Sequence, residues 1–190
     1  MGTRTFFALD LDAPTRAALE RAQRELASLP GRIKWVRPEN LHVTMNFVGD
    51  VSDEEVAALC ELAGRCAGGF EPGGFEFAVR GPACVPGGGR VRMIWARVED
   101  AGGHVARLHG VLNRALGEMG MRTESRAFKG HVTMARVRST RDAGAVRRGV
   151  EEFERGAFGV VRADDLVLYA SELSAAGPTY TALTRARLGG

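Results

Sequence analysis

The tetrapeptide His-Val-Thr-Met occurs twice in this chain, at His42–Met45 and at His131–Met134, in a sequence with only four histidines. Each copy lies in an apolar run, Leu41 to Val48 and His131 to Val137, whose β-branched content and alternating polarity read as a strand. Residues i and i+2 of a strand point to the same face, roughly 6.5–7 Å apart. His42 and Thr44 therefore share one face while Val43 and Met45 enter the core behind it, and His131 with Thr133 repeat the arrangement. If the two strands are neighbours, two imidazoles and two hydroxyls converge on one cleft. That set suits a phosphodiester: one imidazole takes a proton, the other gives one, and each Thr O–H donates to a non-bridging oxygen.

The elements that must hold these residues follow from pattern and punctuation. Thr5 to Leu11 reads as a buried strand, and Asp12-Ala13-Pro14 offers a cap and an early proline for a helix that Pro30 ends. Ile33 to Val36 is a short strand and Pro38-Glu39-Asn40 turns the chain into the first His-x-Thr strand. Ser52 and Glu55 form a capping box for a helix with Val56, Leu59, Cys60, Ala63, Cys66 and Ala67 on its apolar face, followed by a strand from Phe75 to Arg80. Gly81 to Gly89 is the strongest loop signal and the expected boundary between halves. It lacks the Gly-Lys-Ser/Thr ending and following helix of a phosphate-binding loop. The second half runs in the same order: strand Val91 to Val98, a helix carrying Val105, Leu108, Leu112, Ala115 and Met119, the second His-x-Thr strand, and a helix carrying Ala143, Val146, Val150 and Phe153. Strands Leu166 to Ser171 and Tyr180 to Thr184, joined through Gly177-Pro178, close the chain.

The expected fold is therefore α+β, a single domain spanning 1–190 with half repeats of about 1–88 and 89–190. Two pseudo-symmetric lobes, each an antiparallel sheet flanked by two helices, would face each other across a central cleft carrying the paired motifs.

Composition narrows the function classes. Hydrophobic content of 45% and charged content of 26% are those of an ordinary globular protein. A net charge of +3 permits an anionic partner but is far from the dense basic stripe of a nucleic-acid coat. All the basic residues except Lys34 and Lys129 are arginine, a side chain that grips phosphate bidentately, although compositional bias alone produces such a skew. Cys60, Cys66 and Cys84 are odd in number and lack C-x-x-C spacing, so neither a disulfide framework nor a zinc ribbon is indicated. No apolar run approaches the length of a membrane span, and a cytoplasmic location without membrane or obligate protein partner is expected. The two motif histidines could instead bind metal, but a catalytic zinc takes three protein ligands and neither motif supplies a nearby carboxylate or Cys. No metal or cofactor is expected. His104 and His109, five apart on a helix, do not share a face and are expected at the surface. Trp35 and Tyr180 suit the cleft or the core equally.

The chain resembles the RNA 2',3'-cyclic phosphodiesterases, formerly called 2'-5' RNA ligases, of the two-histidine phosphoesterase superfamily. The likeness is carried by Arg4-Thr5-Phe6-Phe7-Ala8, Trp35-Val36, Glu39 to Thr44, Phe47-Val48-Gly49, Phe128 to Arg136, and Ser171-Glu172-Leu173 with Gly177-Pro178 and Tyr180. Gly130 stands where the family usually has Pro, and Met45 and Met134 where it usually has Leu. The resemblance implies that His42 is the proton donor to the leaving ribose oxygen and His131 the proton acceptor that activates water. It also implies a 2'-phosphate product, Thr44 and Thr133 on the phosphate oxygens, and Arg136 as a phosphate or ribose contact. Alternation sends one of Phe6 and Phe7 to the core and the other to the cleft, and the resemblance implies Phe7 as the base-stacking ring. The implied partners are RNA ends or nucleotides bearing a 2',3'-cyclic phosphate. Ligation through the same residues, and a nucleotide- or RNA-binding module without chemistry, are the alternative readings.

Overall fold

The computed structural model describes residues 2–153, 156–175 and 177–189. In chain order the elements are β1 (Thr3–Asp10), α1 (Ala13–Glu25), β2 (Arg32–Trp35), β3 (His42–Val51), α2 (Asp53–Gly68), β4 (Phe75–Val85), β5 (Met93–Glu99), α3 (His104–Glu118), β6 (His131–Ser139), α4 (Ala143–Glu152), β7 (Ala157–Ala163), β8 (Asp165–Ser174) and β9 (Gly177–Arg187). Local chemistry accounts for the helix starts. The Asp12 carboxylate accepts from Thr15 N at 2.9 Å to cap α1, and Ser52 and Glu55 exchange hydrogen bonds at the head of α2, satisfying donors that a helix N-terminus leaves open.

The fold is α+β, and all its strand pairs are antiparallel. The order is β7-β4-β5-β6-β3-β1-β8-β9, with β2 alongside β6. The sheet narrows at its centre, where β3 and β6 meet through the single pair Val43 and Val132. Helices α2 and α3 cover the β3-β1-β8-β9 half, while α1 and α4 cover the β6-β5-β4-β7 half. Each half of the sheet thus has two helices, but neither is built from one half of the sequence. The first half of the chain sends β4 and α1 to the far side, and the second half returns α3, β8 and β9.

Two expectations about loops and strands need correction. The stretch from Gly81 to Val85 is the end of β4, and only the residues after Val85 leave the sheet. Pro82 is tolerated there because the register slips at Gly81 against Arg97 and Ala96, and a bulge excuses a missing ladder donor. The Arg147 guanidinium on α4 then donates to the carbonyls of Pro86, Gly87 and Gly89, so helix and glycine-rich loop are tied. The edge strand β7 was not expected. Its inward residues Phe158, Val161 and Ala163 break strict alternation, so period-2 patterning does not reveal it.

His109 is also not a surface residue. It is buried and its ring stacks on Phe128 with centroids 4.3 Å apart, so the apolar face of α3 is wider than the aliphatic positions alone suggest. No helix among the described residues is long and apolar enough to cross a membrane.

Candidate active site

The two motif strands are adjacent, and their register decides the geometry. With Val43 opposite Val132, the same antiparallel register sets His42 across from Thr133 and Thr44 across from His131. All four side chains point away from the valines and hence away from the helices. The two imidazoles are diagonal neighbours, a relation that separates Cβ atoms by roughly 7–8 Å in a regular ladder. They are close enough for His131 to oppose the protonation of His42.

Both rings are oriented by the same device. His42 Nδ1 lies 2.8 Å from the Asn40 carbonyl, and His131 Nδ1 lies 2.7 Å from the Lys129 carbonyl, each two residues upstream. A carbonyl only accepts, so each Nδ1 carries the proton and each neutral ring presents a bare Nε2. Thr44 Oγ1 donates to His42 Nε2 at 2.9 Å. Asn40 is itself buried, and its side-chain amide donates to the Pro178 carbonyl at 2.8 Å, which ties the turn before β3 to the β8-β9 hairpin. Sequence reasoning missed Asn40 as a site residue. The signal was available: a turn residue two positions before a catalytic-type histidine is where its ring orienter must lie.

The rings also have aromatic walls. His42 stacks on Phe6 at 4.9 Å and meets the edge of Tyr180 at 5.4 Å. His131 lies flat against Trp95, with centroids 3.5 Å apart and planes 14° from parallel. Burial pushes the His42 pKa down from 6.5 to about 4, against the upward pull of the Asn40 carbonyl and Asp10. It lowers that of His131 as well, against the pull of the Lys129 carbonyl and with help from Arg136. At neutral pH both imidazoles are therefore uncharged. Behind Phe6, Asp10 is held by Tyr169 Oη at 2.7 Å and by Arg185 at 2.8 Å, and the Tyr169 hydroxyl is pushed up to about 12 by burial and by that carboxylate.

One feature common to both motifs explains what shares the cleft with them. In the β1-β3 pairing Ala8 faces Thr44 and Phe7 faces Asn46, so Met45 is an extra residue; in the β5-β6 pairing Trp95 faces Thr133 and Ile94 faces Ala135, so Met134 is extra. Each motif methionine is thus a bulge residue, and a bulge shifts the phase of alternation by one. Beyond it Asn46 and Ala135 turn inward, and Phe47 and Arg136, each five residues after its histidine, return to the cleft face. In an unbroken strand a separation of five would put them on the opposite face. The Met134 carbonyl, displaced from the β5 ladder, accepts from the Gln23 amide at 3.0 Å and from Val36 N at 2.9 Å, so a buried glutamine of α1 secures the bulge.

The resulting cleft has a volume of about 510 Å³ and is bounded by β1, β2, β3, β6 and the β8-β9 hairpin. His42, Thr44, Thr133 and Arg136 all line it. His131 flanks these residues against Trp95 rather than lining the cavity itself. Trp35 and Tyr180 line it too. Phe7 does not: its ring is fully buried in the core, because Phe7 pairs with the inward-turned Asn46. Phe6 pairs with Phe47 on the cleft face and takes the place expected for Phe7. Gly130 packs where an added Cβ would stand 3.2 Å from the Val98 Cβ, which favours glycine in front of His131. Among the described residues no group of three or more His, Cys, Asp or Glu side chains is placed to hold a metal ion.

Comparison with known proteins gives the family. The model of the LigT like phosphoesterase family matches the chain twice, over residues 9–95 and 97–180. The chain belongs to that family. The two matches divide it as the two His-x-Thr motifs do, one in each. It is 33% identical to the RNA 2',3'-cyclic phosphodiesterase of Methanothermobacter thermautotrophicus over 99% of this chain and all of the relative. It is 32% identical to the protein of the same name from Archaeoglobus fulgidus, over 93% of this chain and 96% of that one. A solved Thermus thermophilus protein superposes with a TM-score of 0.81 at 29% identity, over 98% of both chains. Escherichia coli LigT, solved with 3'-AMP, superposes with a TM-score of 0.78 at 26% identity over the whole of both chains. This LigT-family member is an enzyme, a phosphoesterase.

Proposed function

We propose that this phosphoesterase hydrolyses 2',3'-cyclic phosphate ends of RNA or nucleotides to 2'-phosphates, without a metal, by paired-histidine acid and base catalysis. The observation that carries the reading is the duplicated lock. Two imidazoles, each with Nδ1 tied to the carbonyl two residues before it, aim bare Nε2 atoms at one face, and each is followed by a hydroxyl two residues on. The names of the full-length relatives support the substrate class. Two imidazoles, with no carboxylate among the described residues lining the cleft, fall short of the three protein ligands that a catalytic zinc takes, which supports a metal-independent route.

In the proposed reaction the water oxygen bonds to phosphorus as His131 Nε2 accepts its proton. The bond from phosphorus to the 3'-oxygen breaks, and His42 Nε2–H supplies the proton that makes the 3'-hydroxyl. Thr44, Thr133 and Arg136 donate to the non-bridging oxygens, where charge builds up in the transition state. His42 must be charged before it can act as acid. A bound phosphate anion within a few ångströms favours that form, so the acid is armed by the substrate it acts on, and Thr44, which holds Nε2 of the resting ring, is freed for the phosphate. Phe6 and Tyr180, beside His42, supply the wall for the terminal base.

The test is product analysis on a short RNA with a 2',3'-cyclic end, in chelator. The expected product is a 2'-phosphate, and His42→Ala and His131→Ala should each lower the rate about 10²- to 10⁴-fold. Full activity in either variant refutes the mechanism, and loss of activity in chelator refutes its metal independence.

A further inference from the structure

The cleft carries more positive charge than one cyclic phosphate calls for. Arg4, Lys34, Arg37, Arg136 and Arg138 all line it. Several arginines elsewhere are matched: Arg16 and Arg185 to Asp10, Arg80 to Glu99, Arg187 to Asp164 and Asp165. Among the described residues, Arg37 has Glu39 at 4.0 Å, and no carboxylate lies within ion-pair distance of Arg4, Lys34, Arg136 or Arg138. Arg4 lies over the Phe47 ring at 4.5 Å. The other three form a cluster on two neighbouring strands. Lys34 of β2 stands directly opposite Arg136 of β6, with both on the cleft face, and Arg138 follows Arg136 on the same face about 7 Å further along the strand. Like charges set opposite each other in a sheet are destabilising. Three cations without a carboxylate partner, two of them directly opposed, in a cleft with no acid among its described lining residues, make a site whose counter-ion arrives with the ligand.

A cyclic phosphate end brings one negative charge, for which Thr44, Thr133 and Arg136 already provide donors. We propose that Lys34 and Arg138 form a second anion site, which holds the internucleotide phosphate next to the cyclic end, so that the cleft selects polynucleotide ends over cyclic mononucleotides. The position of the cyclic end between the histidines is taken from the phosphodiesterase reading above, and the second site is laid out from there. Arg138 is five residues beyond Thr133 along β6, a span of roughly 13–16 Å even after the bulge is allowed for. That places it beyond the reacting phosphate. Trp35 lines the cleft beside Lys34, where a base 5' to the terminal one finds an aromatic face.

Binding tests this separately from turnover. The probes are a trinucleotide ending in a 3'-phosphate and a nucleoside 3'-monophosphate, titrated calorimetrically over a series of salt concentrations. The trinucleotide is expected to bind at least about tenfold more tightly, with a steeper fall of log affinity against log salt. Lys34→Ala and Arg138→Ala should each cut the trinucleotide advantage about fivefold and flatten its salt slope by about 0.7, the increment for one phosphate contact on a single strand. Arg65→Ala, an exposed charge on α2 outside the cleft, should leave the advantage unchanged. Equal affinity for the two probes, or an advantage that survives in both Lys34→Ala and Arg138→Ala, overturns the proposal. Hydrolysis of the matching cyclic substrates is scored in parallel. A protein that binds the trinucleotide through Lys34 and Arg138 yet cleaves neither substrate keeps the second site and loses the catalytic reading. One that cleaves both while binding both probes equally keeps the catalytic reading and loses the second site.

Discussion

Replacing His42 by Gln should make the folded protein more tolerant of acid, even though it removes a group proposed to be essential. His42 is held neutral by burial against Phe6 and Tyr180, and its pKa falls from 6.5 to about 4. The unfolded chain has no such cover and titrates near 6.5. Between those values the unfolded state binds the proton and the folded state does not, so unfolding free energy falls as pH falls. The contribution is complete above about 6.5 and fully lost below about 4. A difference of about 2.5 pKa units at about 1.36 kcal/mol each gives a total of about 3 kcal/mol, of which about 1 is gone by pH 5.5 and about 2 by pH 4.5, relative to pH 7. The assay is urea unfolding at pH 7, 5.5 and 4.5 for the native protein and His42→Gln. Carboxylates and the other histidines contribute alike to both, so the difference between their pH slopes belongs to His42. Imidazole NMR resonances supply the second reading: the His42 signals should stay constant from pH 8 to pH 5 in the empty protein, and should titrate at a higher pH when a phosphate ligand occupies the cleft. Parallel pH slopes, or an inflection near 6.5 in the empty protein, would refute the account of His42 as an acid charged by its substrate.

Other outcomes follow from the register and the bulges. Phe7→Ala should cost about 3–5 kcal/mol in urea unfolding, because it empties a fully buried ring site, whereas Phe6→Leu should chiefly lower kcat/KM and raise the His42 pKa by removing the ring that covers it. Gln23→Met leaves the Val36 and Met134 carbonyls short of the amide that serves both and should destabilise by about 1–3 kcal/mol; because the Met134 bulge aims Arg136, KM should rise as well. Trp95→Leu removes the ring on which His131 lies and should reduce kcat with little change in KM, as read in steady-state kinetics on a cyclic mononucleotide.

Much of this was legible in the chain. The paired motifs, the helix caps at Asp12 and at Ser52 with Glu55, and the strand character of both His-x-Thr runs rest on local chemistry, and local chemistry is what a sequence displays. What could not be read was pairing. Phe6 and Phe7 differ only in which partner they face, and that is set by β3, a strand distant in sequence. The topology was equally hidden. The internal repeat predicts two similar lobes, but a repeat says nothing about whether each copy keeps its own strands. Here β4 and β8 have crossed to opposite sides, a fact held in hydrogen bonds between distant segments. Asn40 and Trp95 were missed for a related reason: each acts on a histidine through an orientation that exists only once the turn or the neighbouring strand is in place.

The bulges show how a resemblance and a physical reading complete each other. The resemblance implies a place in the cleft for Arg136, five residues after His131, but on an unbroken strand that spacing puts the two on opposite faces. From the sequence alone, Arg136 is a solvated charge. The extra residue at Met134 reverses that, and the same slip at Met45 brings Phe47 to the equivalent place after His42. The fourth residue of the motif is therefore not merely a core hydrophobe beside the chemistry. It supplies the odd residue in the count that brings histidine, threonine and the residue five positions on to a single surface, once in each half of the chain. The two surfaces meet at Val43 and Val132. A methionine suits this position better than a β-branched residue, since an unbranched side chain with three rotatable bonds fills the irregular space behind a bulge, and the departure from leucine at both places leaves the reacting groups where they were.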